Sequence, residues 1–127
     1  PEKVASPFRR SPSLSSLRSD LWCMAFVRRH NDLGHMCVVA RRGDPVAGQV
    51  FIDVDHLDGT RSLYTPAPAV SRGEGAGLVF QRRFARAAPD EVRRRIERES
   101  EFDPDLWVLS LDCRGDDIGL DLVREAP

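Results

Sequence analysis

Four groups of residues in this chain have types and spacings that raise the question of chemistry. The first is Asp103 and Asp105 in "EFDPDLWVLSL", two carboxylates separated by one proline, a pattern that paired acid/base work can use. Pro104 pushes the residue before it out of helical geometry and lacks an N–H, so Asp103 falls at a helix end. Asp105 directly precedes an apolar run, where a short polar side chain bonds the local backbone and marks a strand start. No third group stands at a fixed spacing to complete a catalytic set, so backbone punctuation is the expected role.

The second group is His30, His35 and Cys37, which read H-x4-H-x-C. The ligand types are present without a familiar zinc spacing or a second cluster to close a tetrahedral site, so no metal and no other cofactor is expected. His30 is assigned to the end of a helix, Cys37 to the core, and His56 to a solvated turn. The third group, Gly73, Gly75 and Gly77, follows prolines and precedes a strand pattern, which makes it a loop rather than a phosphate cradle. The fourth is arginine-rich. Arg82, Arg83, Arg86, Arg93, Arg94, Arg95 and Arg98 stand against Asp90, Glu91 and Glu97, a local +4. Within the helix pattern, Glu91 to Arg95, Arg93 to Glu97 and Arg95 to Glu99 are opposite charges four apart, which describes a solvated face. Arg82, Arg83 and Arg86, with Arg41 and Arg42, are what remains for a nucleic-acid surface.

These groups need elements to position them. "SDLWCMAFVRRHNDLG" has the marks of a helix: Ser19 as cap, Asp20 at the positive end, Arg28, Arg29 and His30 at the negative end, and Gly34 as the left-handed stop. Its first turns are apolar nearly all round, which predicts burial on more than one side or docking of a partner. The β-branched run from Cys37 to Arg42 and the alternation of Val50, Ile52 and Val54 with Phe51, Asp53 and Asp55 predict a hairpin about Gly43-Asp44-Pro45. Asp58-Gly59 turns into a third strand, "RSLYT", and "LVFQRRF" makes a fourth. "APDEVRRRIERESEF" is a second helix with Pro89 in its first turn and an apolar stripe of Val92 and Ile96 that Phe102 extends. "DLWVLSLDC" is a strand, and "IGLDLV" adds a short edge strand.

At 127 residues the chain has room for one compact domain, expected over 19–127, after a Ser-, Pro- and Arg-rich arm over 1–18. A formal charge of -1 exerts no global pull on nucleic acid or anionic lipid. Lys3 is the only lysine, which excludes Schiff-base and P-loop chemistry. Three cysteines without C-x-x-C, no run long enough to span a bilayer and no secretory apolar segment predict a cytoplasmic protein with no membrane contact.

With those motifs in view, "SDLW", "VVARRGDPVAGQV", "LDGTRSLYTPAP" and "FDPDLWV", taken together, resemble a bacterial family of uncharacterised proteins, the domain of unknown function 1491. The resemblance runs from about Leu17 to Cys113. It implies a small stand-alone cytoplasmic protein and carries over no activity and no catalytic residue. Along the resembling patches, Arg41, Arg42, Tyr64 and Trp107 are residues that turns do not require, so with Asp103 and Asp105 they are the expected shared surface.

The resulting expectation is an α+β domain, with a small antiparallel sheet of four to six strands and two helices in the order α-β-β-β-β-α-β. Trp22, Phe51, Leu63, Phe80, Ile96, Trp107 and Leu109 are the expected core. The expected function is a non-enzymatic binding or accessory protein with a protein partner. The alternatives are a nucleic-acid-binding protein using Arg41, Arg42, Arg82, Arg83 and Arg86, and a small enzyme with a carboxylate-containing pocket around Asp103, Asp105 and Arg41. The sequence does not define the oligomeric state.

Overall fold

The computed structural model describes residues 17–68 and 78–123. The arm expected over 1–18 lies outside them apart from Leu17 and Arg18, as do the three glycines between 73 and 77. The element order matches the α-β-β-β-β-α-β expectation: α1 Ser19–Asp32, β1 Cys37–Arg41, β2 Val50–Asp55, β3 Arg61–Pro66, β4 Phe80–Ala87, α2 Pro89–Phe102 and β5 Trp107–Asp112.

The five strands form one sheet in the order β1-β5-β2-β3-β4. It is mixed, which corrects the expectation of a purely antiparallel sheet. β5 runs antiparallel to β1 but parallel to β2, and Ile52 faces Leu109 across that parallel pair. The expected β1/β2 hairpin does not form, because β5 lies between the two strands. The reason is burial. In β5, Trp107, Val108, Leu109 and Leu111 are all buried, so both faces need covering and the strand belongs at the centre of a sheet. β1 leaves Val38, Ala40 and Arg41 exposed and suits an edge. β2/β3 and β3/β4 are antiparallel, so β4 and β5 point the same way and need a crossover between them. α2 is that crossover.

The two helices cover opposite faces. Cys23 and Phe26 of α1 pack with Val50, Ile52, Val54, Tyr64, Phe80, Trp107, Leu109 and Leu111. Val92 of α2, with half-buried Ile96, packs on Phe51, Leu63 and Val108. Of the expected core, Phe51, Leu63, Phe80, Trp107 and Leu109 are buried, while Trp22 and Ile96 sit at its margin. Phe102 does not extend the stripe of α2, being 84% exposed at the last residue before the break. On α1 the apolar first turns are buried on one side only, and Leu21 and Met24 stay more than half exposed.

The caps follow the local chemistry with one exception. Gly34 takes a φ of 90° after α1, and Pro89 opens α2. Arg18, rather than Ser19, is the N-cap of α1. The Ser19 hydroxyl instead donates to the Gly48 carbonyl at 2.6 Å, tying the helix start to the loop before β2. Asn31 at the other end of α1 accepts from the Cys37 N–H at 3.0 Å and donates to its carbonyl at 3.1 Å. One side chain thereby satisfies both backbone groups of Cys37, the first residue of the edge strand. At the far edge, Leu122 makes a single bridge to Phe80, which is all that forms of the expected "IGLDLV" strand.

Candidate functional site

Five of the six residues expected on a shared surface gather where the end of β1 meets the start of β5. The Arg42 guanidinium lies over the Trp107 ring, 5.3 Å from its centre, and the Trp107 Nε1–H donates to the Asp44 carbonyl at 2.7 Å. The Asp44 N–H donates to the Asp105 carbonyl at 2.9 Å, and the Asp105 N–H to Asp103 Oδ1 at 3.1 Å. Arg41 reaches the Pro104 carbonyl at 3.4 Å. Asp103 thus shapes its own turn, and Asp105 is exposed, so these two carboxylates do not face one another across a pocket. The sixth residue, Tyr64, lies apart on β3. Both aromatic rings expected at a surface are buried, Tyr64 at 1% exposure and Trp107 at 0%. Burial pushes the Tyr64 hydroxyl above its ordinary range against the pull of neighbouring Arg82.

The arginines of the nucleic-acid alternative do not form one patch. Arg41 and Arg42 belong to the β1 edge, and Arg82, Arg83 and Arg86 to the β4 edge, four strand spacings or roughly 19 Å away. Arg86 is bound to Asp58 at 3.0 Å, Asp116 at 3.1 Å and the Arg114 carbonyl at 2.7 Å. On α2, Arg95 pairs with Glu99 as expected, at 3.0 Å. Arg93 bonds Asp90 at 2.9 Å instead of Glu97.

His56 is not solvated. It is 1% exposed, donates from Nδ1 to the Cys113 carbonyl at 2.8 Å, and accepts from the Ser62 hydroxyl at Nε2 over 2.7 Å. The donor role of Nδ1 follows from its carbonyl partner, which can only accept. A hydroxyl on imidazole Nε2, with Nδ1 held by a carbonyl, is the layout of an activated nucleophile. Here Ser62 is 0% exposed and its oxygen also accepts the Arg86 N–H at 3.0 Å, with Arg86 at a φ of 49°. The pair is sealed inside the protein and pins the β2–β3 turn, β4 and the end of β5 together. Its sequence signal was the step from His56 to Ser62 across a tight turn, which returns the chain beside itself.

His30 is likewise buried, with Nε2 donating to the Ile118 carbonyl at 2.9 Å and Nδ1 2.9 Å from the Nδ1 of His35. Nδ1 of His30 must therefore accept, and His35 must donate. Burial, together with His35 and Arg29, holds the pKa of His30 below its ordinary 6.5, against the raising effect of the Ile118 carbonyl. The unfolded chain then takes up a proton near 6.5 that the folded chain refuses. Stability from this site is complete above that pH and declines as pH falls through it toward the lower folded value. Urea midpoints measured from about pH 7 to about pH 5 are expected to decrease, and His30→Phe to remove most of that slope. A slope unchanged by the substitution would place the titration elsewhere.

A cleft of about 420 Å³ between α2 and the sheet gathers several charged groups. Val108 and Ile96 form its apolar floor and wall, and Arg41, Asp53, Arg61 and Arg93 bring charge from β1, β2, β3 and α2. Asp53 and Arg61 are a paired base: Arg61 Nε donates to Asp53 Oδ1 at 3.0 Å, Nη2 to Oδ2 at 3.4 Å, and Nη1 to Asp55 at 3.2 Å. Burial raises the Asp53 carboxyl, with Asp55 adding to the effect and Arg61 opposing it. The sequence carries a sign of this pair within its strand alternation. Asp53 and Asp55 follow Phe51 on the face that α2 covers, and the next strand begins with Arg61.

A family described as a protein of unknown function, DUF1491, matches residues 17–120. The chain is similar to the solution structure of protein Atu0922 from A. tumefaciens, with 32% identity over 87% of this chain and 98% of that one and a TM-score of 0.73. It is similar also to a crystal structure of a DUF1491 family protein from Caulobacter crescentus CB15, with 29% identity, 84% and 98% coverage and a TM-score of 0.71. An NMR structure of a DUF1491 family protein from the same organism gives 29% identity, 86% and 98% coverage and a TM-score of 0.70. No curated protein matches.

Proposed function

The chain belongs to the DUF1491 family, and from that premise we propose that it is a non-enzymatic binding protein whose ligand seat is the cleft between α2 and the sheet. The observation that carries this reading is the lining itself. Four separate elements deliver charged side chains to one recess with an apolar floor, in the size range of small-molecule sites. The sealed state of Ser62 and His56 supports binding over catalysis, because that hydroxyl cannot meet a substrate without local opening.

A reducing compartment, and with it the cytoplasm, agrees with the cysteines. Cys23, Cys37 and Cys113 are free and buried. Burial pushes the Cys23 thiol up to about 12 and the Cys37 thiol up to about 11, far from a reactive thiolate. Among the described residues no helix is long and apolar enough to cross a membrane.

The test is amide-shift mapping with four small aromatic probes: benzoate, phenyl phosphate, benzyl alcohol and benzylamine. At least one is expected to move the amides of Ala40, Ile96, Ser100 and Val108 saturably at millimolar concentration. If none of the four moves them, the cleft is not a ligand seat.

A further inference from the structure

Resting on the cleft as the ligand seat, we propose that its occupant is a small oxyanion on an apolar body, a carboxylate or a phosphate monoester, gripped between Arg41 and Arg93. The argument is a comparison of unspent hydrogen-bonding capacity. Three guanidiniums line the recess, and each offers five N–H donors in a rigid fork that matches carboxylate and phosphate oxygens. Arg61 is largely committed to Asp53 and Asp55. Among the described residues, Arg41 makes one long contact with the Pro104 carbonyl at 3.4 Å, and Arg93 makes one ion pair with Asp90 at 2.9 Å. Both keep most of their fork free among the described residues, one delivered by β1 and the other by α2.

The acids do not compete on equal terms. Both oxygens of Asp53 already accept from Arg61. Of the lining carboxylates, Glu97 alone has no partner among the described residues, and it stands on the exposed flank of α2. The charges of the cleft nearly cancel, so long-range attraction is small and selectivity must come from directed bonds at contact distance. Arg61 adds no net attraction for an anion, because Asp53 and Asp55 neutralise it, so the grip rests on Arg41 and Arg93. Val108 and Ile96 supply the surface for the ligand's apolar part, which makes bare inorganic phosphate a poorer fit than an ester or an aryl carboxylate.

The same four probes separate this inference from the reading it rests on. Benzoate or phenyl phosphate is expected to bind at least tenfold more tightly than benzyl alcohol or benzylamine, and the better of the two anions tells carboxylate from phosphate. Arg41→Ala and Arg93→Ala are each expected to weaken that anion about tenfold, the loss of one charge-assisted fork, with thermal unfolding unchanged. If benzyl alcohol or benzylamine binds as well as the anions at the same amides, the seat stands and the oxyanion assignment fails. If both variants bind the anion like the parent protein, the Arg41–Arg93 grip is wrong. If no probe binds, both readings fall.

Discussion

His56→Ala is expected to lower the unfolding free energy by about 4 kcal/mol. Removing the ring leaves three costs in one place. It opens a cavity in a region where His56 is 1% exposed, and it strands both the Ser62 hydroxyl and the Cys113 carbonyl. Ser62→Ala is expected to cost about 2 kcal/mol, since it strands the imidazole Nε2 and the Arg86 N–H but removes less volume. The double variant should fall well short of the sum of the two, because each single change already breaks the shared bond. Urea midpoints at an unchanged denaturant slope provide the measurement. A loss below about 1 kcal/mol for His56→Ala would mean that the imidazole is not the pin described here.

Gly43→Ala is expected to cost about 3 kcal/mol by a different route. A β-carbon there would run into the Asp105 carbonyl and come within 2.7 Å of Trp107 Cδ1. Gly48 faces the same two residues from the other end of the loop, its β-carbon 2.9 Å from Trp107 Cδ1. Neither neighbour can retreat, since Trp107 is fully buried and the Asp105 carbonyl accepts from Asp44. Gly115→Ala is the control, because a β-carbon there meets nothing within 4 Å, and it should stay within about 0.5 kcal/mol. Displacement of the indole by Gly43→Ala should also shift its fluorescence to the red. Equal stability of the two alanine variants would remove the close approach as the reason for glycine at position 43.

Much of the architecture was legible because it is written in local chemistry. The step from Asp32 through Gly34, Pro89 before an acidic turn, and the Phe102-Asp103-Pro104 break each fix an element end through backbone geometry that neighbours in the sequence control. The placement of β5 was not legible in that way. "LWVLSL" shows only that a strand is apolar, and which strands flank it depends on how completely both faces must be covered. The same limit hid His56. A histidine in a turn reads as solvated until the hairpin returns Ser62 to it and the end of β5 supplies a carbonyl. The corner built from Arg42, Gly43, Asp44, Asp105 and Trp107 was legible as two motifs but not as one object, because their meeting requires β5 to run beside β1. The cleft was half legible. Arg41 was singled out from the sequence, while Asp53 and Arg61 were seen only as part of a strand pattern.

The Asn31 amide carries a consequence for how these molecules behave when crowded. A bare sheet border is a template on which further chains can polymerise, and the two groups of Cys37 that would start such growth are already occupied by a side chain of the same molecule. Past Cys37, the irregularity between Val39 and Arg41 shortens the remaining border before another chain could dock along it. The domain therefore carries its own terminator, and a concentrated solution of it has one less route into fibrils.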